Sequence, residues 1–106
     1  MDTKVHTILF ELRAELETLY GERLMDLILF GSQARGDARP DSDIDVLIVL
    51  RPPVDSGEEI QRTSLLFSEL CLRYNVLVAR LFMDEDRYLR REGPLLRNIQ
   101  REGIAV

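Results

Sequence analysis

The sequence predicts an α/β (α+β) domain: a small mixed β-sheet backed by helices. Three observations carry that expectation. Short runs rich in Ile, Leu and Val alternate with longer segments whose apolar residues recur every three or four positions. The chain has 106 residues, the length of one domain spanning 1–106. Hydrophobic residues make up 45% and charged residues 31%, enough apolar material to fill a core without disulfides.

The first helix rests on Val5, Ile8, Leu9, Leu12, Leu16 and Leu19, which share one face, with Glu11, Arg13, Glu15 and Glu17 between them. Gly21 is its expected stop. Leu24 to Phe30 is a short apolar run of strand length, ending at Gly31. Gly31 to Asp41 is rich in turn formers, including Gly36, Asp37 and Pro40, with room for one helical turn opening at Ser32. Asp43 to Leu50 reads as the second strand, closed by Arg51-Pro52-Pro53, because proline cannot continue a ladder. After a loop in which Ser56 can serve as a cap, Glu58 to Tyr74 reads as a second long helix. Its expected inward stripe is Ile60, Ser64, Leu65, Phe67, Leu70, Cys71 and Tyr74. Val76 to Met83 is the third strand. Asp84-Glu85-Asp86 opens a short helix toward Arg91, and Pro94 suits the start of a last helix, Leu95 to Arg101.

Composition excludes several function classes. The net charge of -5 argues against general nucleic-acid binding, which needs a basic face. It leaves a free nucleotide open, since a metal ion and a few arginines can meet its phosphates. No apolar run approaches the roughly 20 residues of a membrane helix. Cys71 is the only cysteine, so no internal disulfide forms, and no leader pattern opens the chain. These features give the expectation of a cytoplasmic protein.

The chemistry concentrates between residues 31 and 45. A glycine at a strand end lets a ligand approach the backbone. Ser32 adds a hydroxyl and an N–H where a helical turn opens, an arrangement that suits phosphate. Arg35 follows in the same loop, as a phosphate contact or as half of a surface ion pair. After ten intervening residues comes Asp43-Ile44-Asp45. Residues i and i+2 of a strand share a face, so the two carboxylates stand side by side and repel. Mg2+ relieves that repulsion, taking a couple of protein carboxylates together with substrate phosphate oxygens. Ser42 either caps the turn or contacts phosphate. Asp37 and Asp41 sit where aspartate commonly serves local turns.

The stretch from Leu27 through Phe30-Gly31-Ser32-Gln33-Ala34-Arg35-Gly36-Asp37, followed by Ser42-Asp43-Ile44-Asp45-Val46, resembles the signature of the DNA polymerase beta-like nucleotidyltransferase superfamily. It most resembles the minimal nucleotidyltransferase (MNT) members paired with HEPN proteins in prokaryotic toxin–antitoxin systems. The close match covers Leu27 to Leu50, and the element order agrees along nearly the whole chain. The resemblance implies the polymerase beta-like fold and Mg2+-dependent nucleotidyl transfer, AMP from ATP, to a hydroxyl on a protein partner or other acceptor. On that footing Asp43 and Asp45 are the catalytic and metal-binding residues, and Gly31, Ser32, Arg35 and Ser42 the nucleotide contacts. A HEPN-type protein is the implied partner, in a hetero-complex or oligomer. The alternative is an antitoxin module that neutralises such a toxin by direct contact.

One departure stands out. Family members with full catalytic power usually carry a third carboxylate on a later strand, which here is Asn75 to Met83 and holds no Asp or Glu. Asp84, Glu85 and Glu69 lie nearby in sequence but off the expected position. The base toward the acceptor then falls to the partner, to water, or to Asp43 or Asp45. Elsewhere the ordinary readings prevail. His6 has no companion ligands, Cys71 fits a core face, and Tyr20, Tyr74 and Tyr88 suit packing at element ends. Arg39 lies at the loop tip and Arg80 reads as structural. Arg87, Arg90, Arg91, Arg97 and Arg101 read as exposed helix faces, with a partner or polynucleotide contact as the sharper reading.

Overall fold

The computed structural model describes residues 2–39 and 42–106. Pro40 and Asp41, assigned to the turn from sequence, lie outside the described residues. Helix α1 (Thr3–Tyr20) starts on Asp2, whose carboxylate accepts the Lys4 N–H at 2.8 Å. It buries Val5, Ile8, Leu9, Leu12, Leu16 and Tyr20. A four-residue step from Leu16 lands on Tyr20, so Leu19 is exposed rather than inward as the sequence suggested. Gly21 ends the helix, and a 3-10 turn, Gly21–Arg23, leads into β1 (Leu24–Phe30). A single helical turn, α2 (Ser32–Arg35), follows, then β2 (Ile44–Leu50).

The second long helix is two helices, α3 (Ser56–Arg62) and α4 (Ser64–Tyr74), broken at Thr63. Their cap is Asp55, not Ser56: its carboxylate accepts the Glu58 N–H at 3.1 Å. The break has a polar cause. Glu59 is 2% exposed and accepts the Tyr20 hydroxyl at 2.8 Å, with Arg62 at 3.4 Å and Arg23 at 3.5 Å. Thr63, fully buried, donates its hydroxyl to the Glu59 carbonyl at 2.9 Å. Turning Glu59 and Thr63 inward shifts the phase of the stripe, so Ile60 and Leu65 are 44% and 71% exposed while Phe67 and Leu70 remain buried.

Strand β3 (Val78–Asp84) starts two residues later than the sequence suggested. Asp84 caps α5 (Glu85–Arg90), and α6 (Pro94–Glu102) begins at its proline. A short strand, β4 (Ile104–Ala105), was not foreseen. Gly103 lets it form: a Cβ there would meet the Ile99 carbonyl at 2.4 Å and Ile28 at 2.6 Å. The sheet runs β3-β2-β1-β4, with β2 parallel to β3 and the other neighbours antiparallel. A mixed sheet backed by helices is the expected fold class.

Strand β2 is buried on both faces, which explains its unbroken apolar run. Leu27, Leu29, Ile44, Val46, Ile48 and Leu50 face α1 and α4. Ile28, Leu47, Val49 and Met83 face α6 through Leu96 and Ile99. Arg80 has a structural role, donating to Thr63 Oγ1 and the Ile60 carbonyl, each at 2.9 Å, and lying over the Phe67 ring. Cys71 packs against the core, and its sulfur accepts the Val78 N–H at 3.3 Å. Tyr74 donates to Glu11 at 2.5 Å. The five arginines after β3 are exposed.

Burial and the Glu59 carboxylate push the Tyr20 phenol well above its ordinary pKa, so it stays a donor. Tyr20→Phe leaves a buried carboxylate one hydrogen bond short and is expected to lower unfolding stability by about 1–3 kcal/mol. Urea denaturation at neutral pH measures this, and a variant as stable as the parent contradicts the role given to that bond.

Candidate functional site

The ends of β1 and β2 that carry the Gly-Ser turn and the aspartates lie side by side, with Phe30 paired to Asp45. Gly31 is therefore the first residue past the ladder on one strand, opposite the carboxylate-bearing end of the other. It adopts φ +75, and a Cβ there would stand 2.6 Å from Asp45 Oδ2. The positive φ favours glycine at this position, whereas the Asp45 carboxylate could turn aside from a Cβ. Ser32 then opens the single helical turn of α2. Ala34 and Arg35 N–H groups close the turn on the Gly31 carbonyl, each at 3.1 Å.

Ile44 is buried, and its N–H donates to the Leu77 carbonyl at 2.9 Å, which pins the start of β2 to the chain entering β3. Asp43 lies one residue before the strand rather than within it, and is exposed. Asp45 is half-buried. Flanking an inward Ile44, the two side chains point to the other face, that of α6. Burial first, and the Asp43 charge second, raise the Asp45 carboxyl above its ordinary pKa, with Arg35 opposing. A donor set of two mutually repelling carboxylates, one partly desolvated, fits a divalent cation. Among the described residues no group of three or more His, Cys, Asp or Glu side chains stands together as a metal cage.

Arg35 pairs with acids on two sides, with Asp37 at 3.3 Å and Glu102 at 3.6 Å. Ser42 is a turn cap: its hydroxyl accepts the Arg39 N–H at 2.8 Å. Gln33, which the sequence did not single out, donates to the Ser42 carbonyl at 3.3 Å and ties the loop to α2. A cleft of about 340 Å³ lies behind this loop, lined by Lys4, Val5, Ile8 and Ile44 on the α1 side, away from the carboxylates. Gly31, Ser32, Arg35, Asp43 and Asp45 thus meet in space, while Ser42 is turned to the loop's own backbone.

The position beside Asp45 on β3 is Ala79, its partner in the parallel ladder and about 4.8 Å away by strand spacing. Asp84 is five residues further along and occupied as a cap, accepting the Arg87 N–H at 2.8 Å. Glu69 is exposed on α4. The carboxylate missing from the sequence of β3 is therefore missing from its geometry as well.

A family model described as "Nucleotidyltransferase domain" matches residues 9–100. The chain belongs to this nucleotidyltransferase family. Two proteins of Methanocaldococcus jannaschii named "Putative protein adenylyltransferase" are similar to it. One is 36% identical over 89 residues, covering 83% of each chain. The other is 35% identical over 72 residues, covering 68% of this chain and 72% of the relative. Among solved structures, a toxin–antitoxin crystallised with AMP-PNP aligns with a TM-score of 0.60 at 20% identity, over 90% of this chain and 69% of that one. A "putative nucleotidyltransferase" from Sulfolobus solfataricus aligns with a TM-score of 0.55 at 18% identity, over 99% and 86%. At these identities the structural likeness is one of fold, and the fold is that of nucleotidyltransferases. The chain is a nucleotidyltransferase.

The raised Asp45 pKa has a consequence for stability. The folded state holds its proton more tightly than the unfolded state, so stability falls as pH rises from the ordinary aspartate range through the folded value. In metal-free buffer Asp45→Asn is expected to be more stable than the parent at pH 7, the difference shrinking toward pH 4. Chemical denaturation at the two pH values checks this, and a variant less stable at pH 7 contradicts it.

Proposed function

We propose that this nucleotidyltransferase transfers AMP from ATP, with Mg2+, to a hydroxyl of a protein partner. The observation that carries the reading is the contact of Asp45 with Gly31: it sets a repelling carboxylate pair directly against a backbone turn shaped for phosphate. The names of the two Methanocaldococcus relatives support protein as acceptor, and the AMP-PNP in the toxin–antitoxin crystal supports an adenine nucleotide.

In this reading Asp43 and Asp45 hold the ion, which when bound draws charge from the phosphates and stabilises departing pyrophosphate. Gly31 leaves room for the triphosphate against the backbone. Ser32 offers its hydroxyl and N–H to phosphate oxygens, and Arg35 offers its guanidinium. The acceptor oxygen bonds to the α-phosphorus as the bond to the bridging oxygen of the β-phosphate breaks; pyrophosphate leaves, and the hydroxyl proton passes to the partner, to water, or to Asp43 or Asp45. Ser42 holds the loop through the Arg39 N–H and keeps its own hydroxyl proton to offer to a phosphate oxygen. Loss of both carboxylates in Asp43→Ala/Asp45→Ala is expected to abolish Mg2+-dependent ATP binding, read by isothermal titration calorimetry. Parental binding by that double variant would sink the proposal.

Ala79 beside Asp45 favours a second reading, in which the protein acts chiefly by covering a HEPN-type toxin. The toxin–antitoxin nature of the structural neighbour supports a protein partner in either case. Incubation with a HEPN-type partner and α-labelled ATP separates the two. Label bound covalently to the partner is the expected result. Full neutralisation by the unlabelling Asp43/Asp45 double variant favours the covering role instead.

A further inference from the structure

We propose that Glu102 is a positioning residue for Arg35, holding its guanidinium beside the Gly31–Ser32 turn so that an arriving triphosphate meets it already oriented. The proposal rests on the reading of Arg35 as a phosphate contact.

Arg35 is the last residue of α2, and its side chain is 44% exposed, so packing alone does not fix it. A long, exposed arginine has many rotamers to lose when it engages a ligand. Two acids restrict it. Asp37 is two residues away on the same loop and moves with it. Glu102 comes from the other end of the chain and is anchored to the core. Leu96 and Ile99 bury α6 on the sheet, Gly103 leaves no space between Ile99 and Ile28, and Ile104 pairs with Leu29. Glu102 closes α6 two residues before that pairing begins. Glu102 therefore fixes Arg35 relative to the sheet that carries Asp45, which Asp37 cannot do.

The pair is weak enough to share its cation. Exposed ion pairs contribute little, whereas guanidinium–phosphate bonds are charge-assisted and strong. A triphosphate can thus bind Arg35 without first breaking a costly contact, and gains from finding it in place.

Calorimetry with MgATP on the parent, Glu102→Gln, Arg35→Ala and the double variant tests this. Glu102→Gln is expected to weaken binding about threefold, the scale of an exposed pair, with an unchanged melting temperature. The Arg35 Nε–H resonance in an NMR spectrum should shift in the same variant. The double variant should bind no more weakly than Arg35→Ala, since Glu102 acts through the arginine. Unchanged or tighter binding by Glu102→Gln, or a further loss when it is added to Arg35→Ala, overturns the proposal. Parental affinity in Arg35→Ala removes the phosphate reading beneath it as well, so the two failures are distinguishable.

Discussion

The approach of Gly31 to Asp45 constrains everything around it. A carboxylate oxygen occupies the space in which any other residue at 31 would hold its Cβ. That proximity requires β1 and β2 to be neighbours and to end together, which the pairing of Phe30 with Asp45 provides. It also requires the chain to leave β1 through a positive φ, and this turns Ser32 and α2 across the strand ends instead of along them. The ten residues between Ser32 and Asp43 then only have to bring the chain back to the same edge. Gln33 and Ser42 do so with local hydrogen bonds.

The arrangement stores repulsion, and the rest of the molecule must absorb it. Asp45 is partly desolvated next to a like charge, a state that disfavours folding when no cation is bound. The compensation lies in the sheet. Strand β2 is covered on both faces, so the segment that presents Asp45 at one end is among the most deeply buried in the chain. At the opposite end, where Arg23 and Arg51 flank the strands, Glu59 is buried as well, but with Tyr20, Arg23 and Arg62 satisfying it. One buried acid is thus paired and structural, and one half-buried acid has no ion pair among the described residues.

What the sequence revealed follows the range of the interactions concerned. The strand Leu24–Phe30, the helical turn at Ser32 and the proline start of α6 are set by local pattern, and the residues named for them form them. The Gly-Ser and Asp-x-Asp pair was legible because the backbone needs glycine at one point and like charges at another, at a fixed separation. The break at Thr63 was not, because apolar periodicity continues through it. Its cause is a buried hydrogen bond from Tyr20, thirty-nine residues away. Strand β4 was missed because two residues carry no periodic signal, and Glu102 because nothing local distinguishes it from other helix-surface glutamates.

Ala79 limits what the carboxylate pair can do. In the proposed reading Asp43 and Asp45 hold the ion, and the ion meets the phosphate. Taking a proton from an acceptor hydroxyl needs a further group on the far side of the reacting phosphorus. The parallel ladder places a methyl group where strand β3 would otherwise supply it. No other acid of β3 is free for the task, since Asp84 is engaged at the N-terminus of α5. In the proposed reading, proton removal then falls to the partner, to water, or to Asp43 or Asp45 themselves.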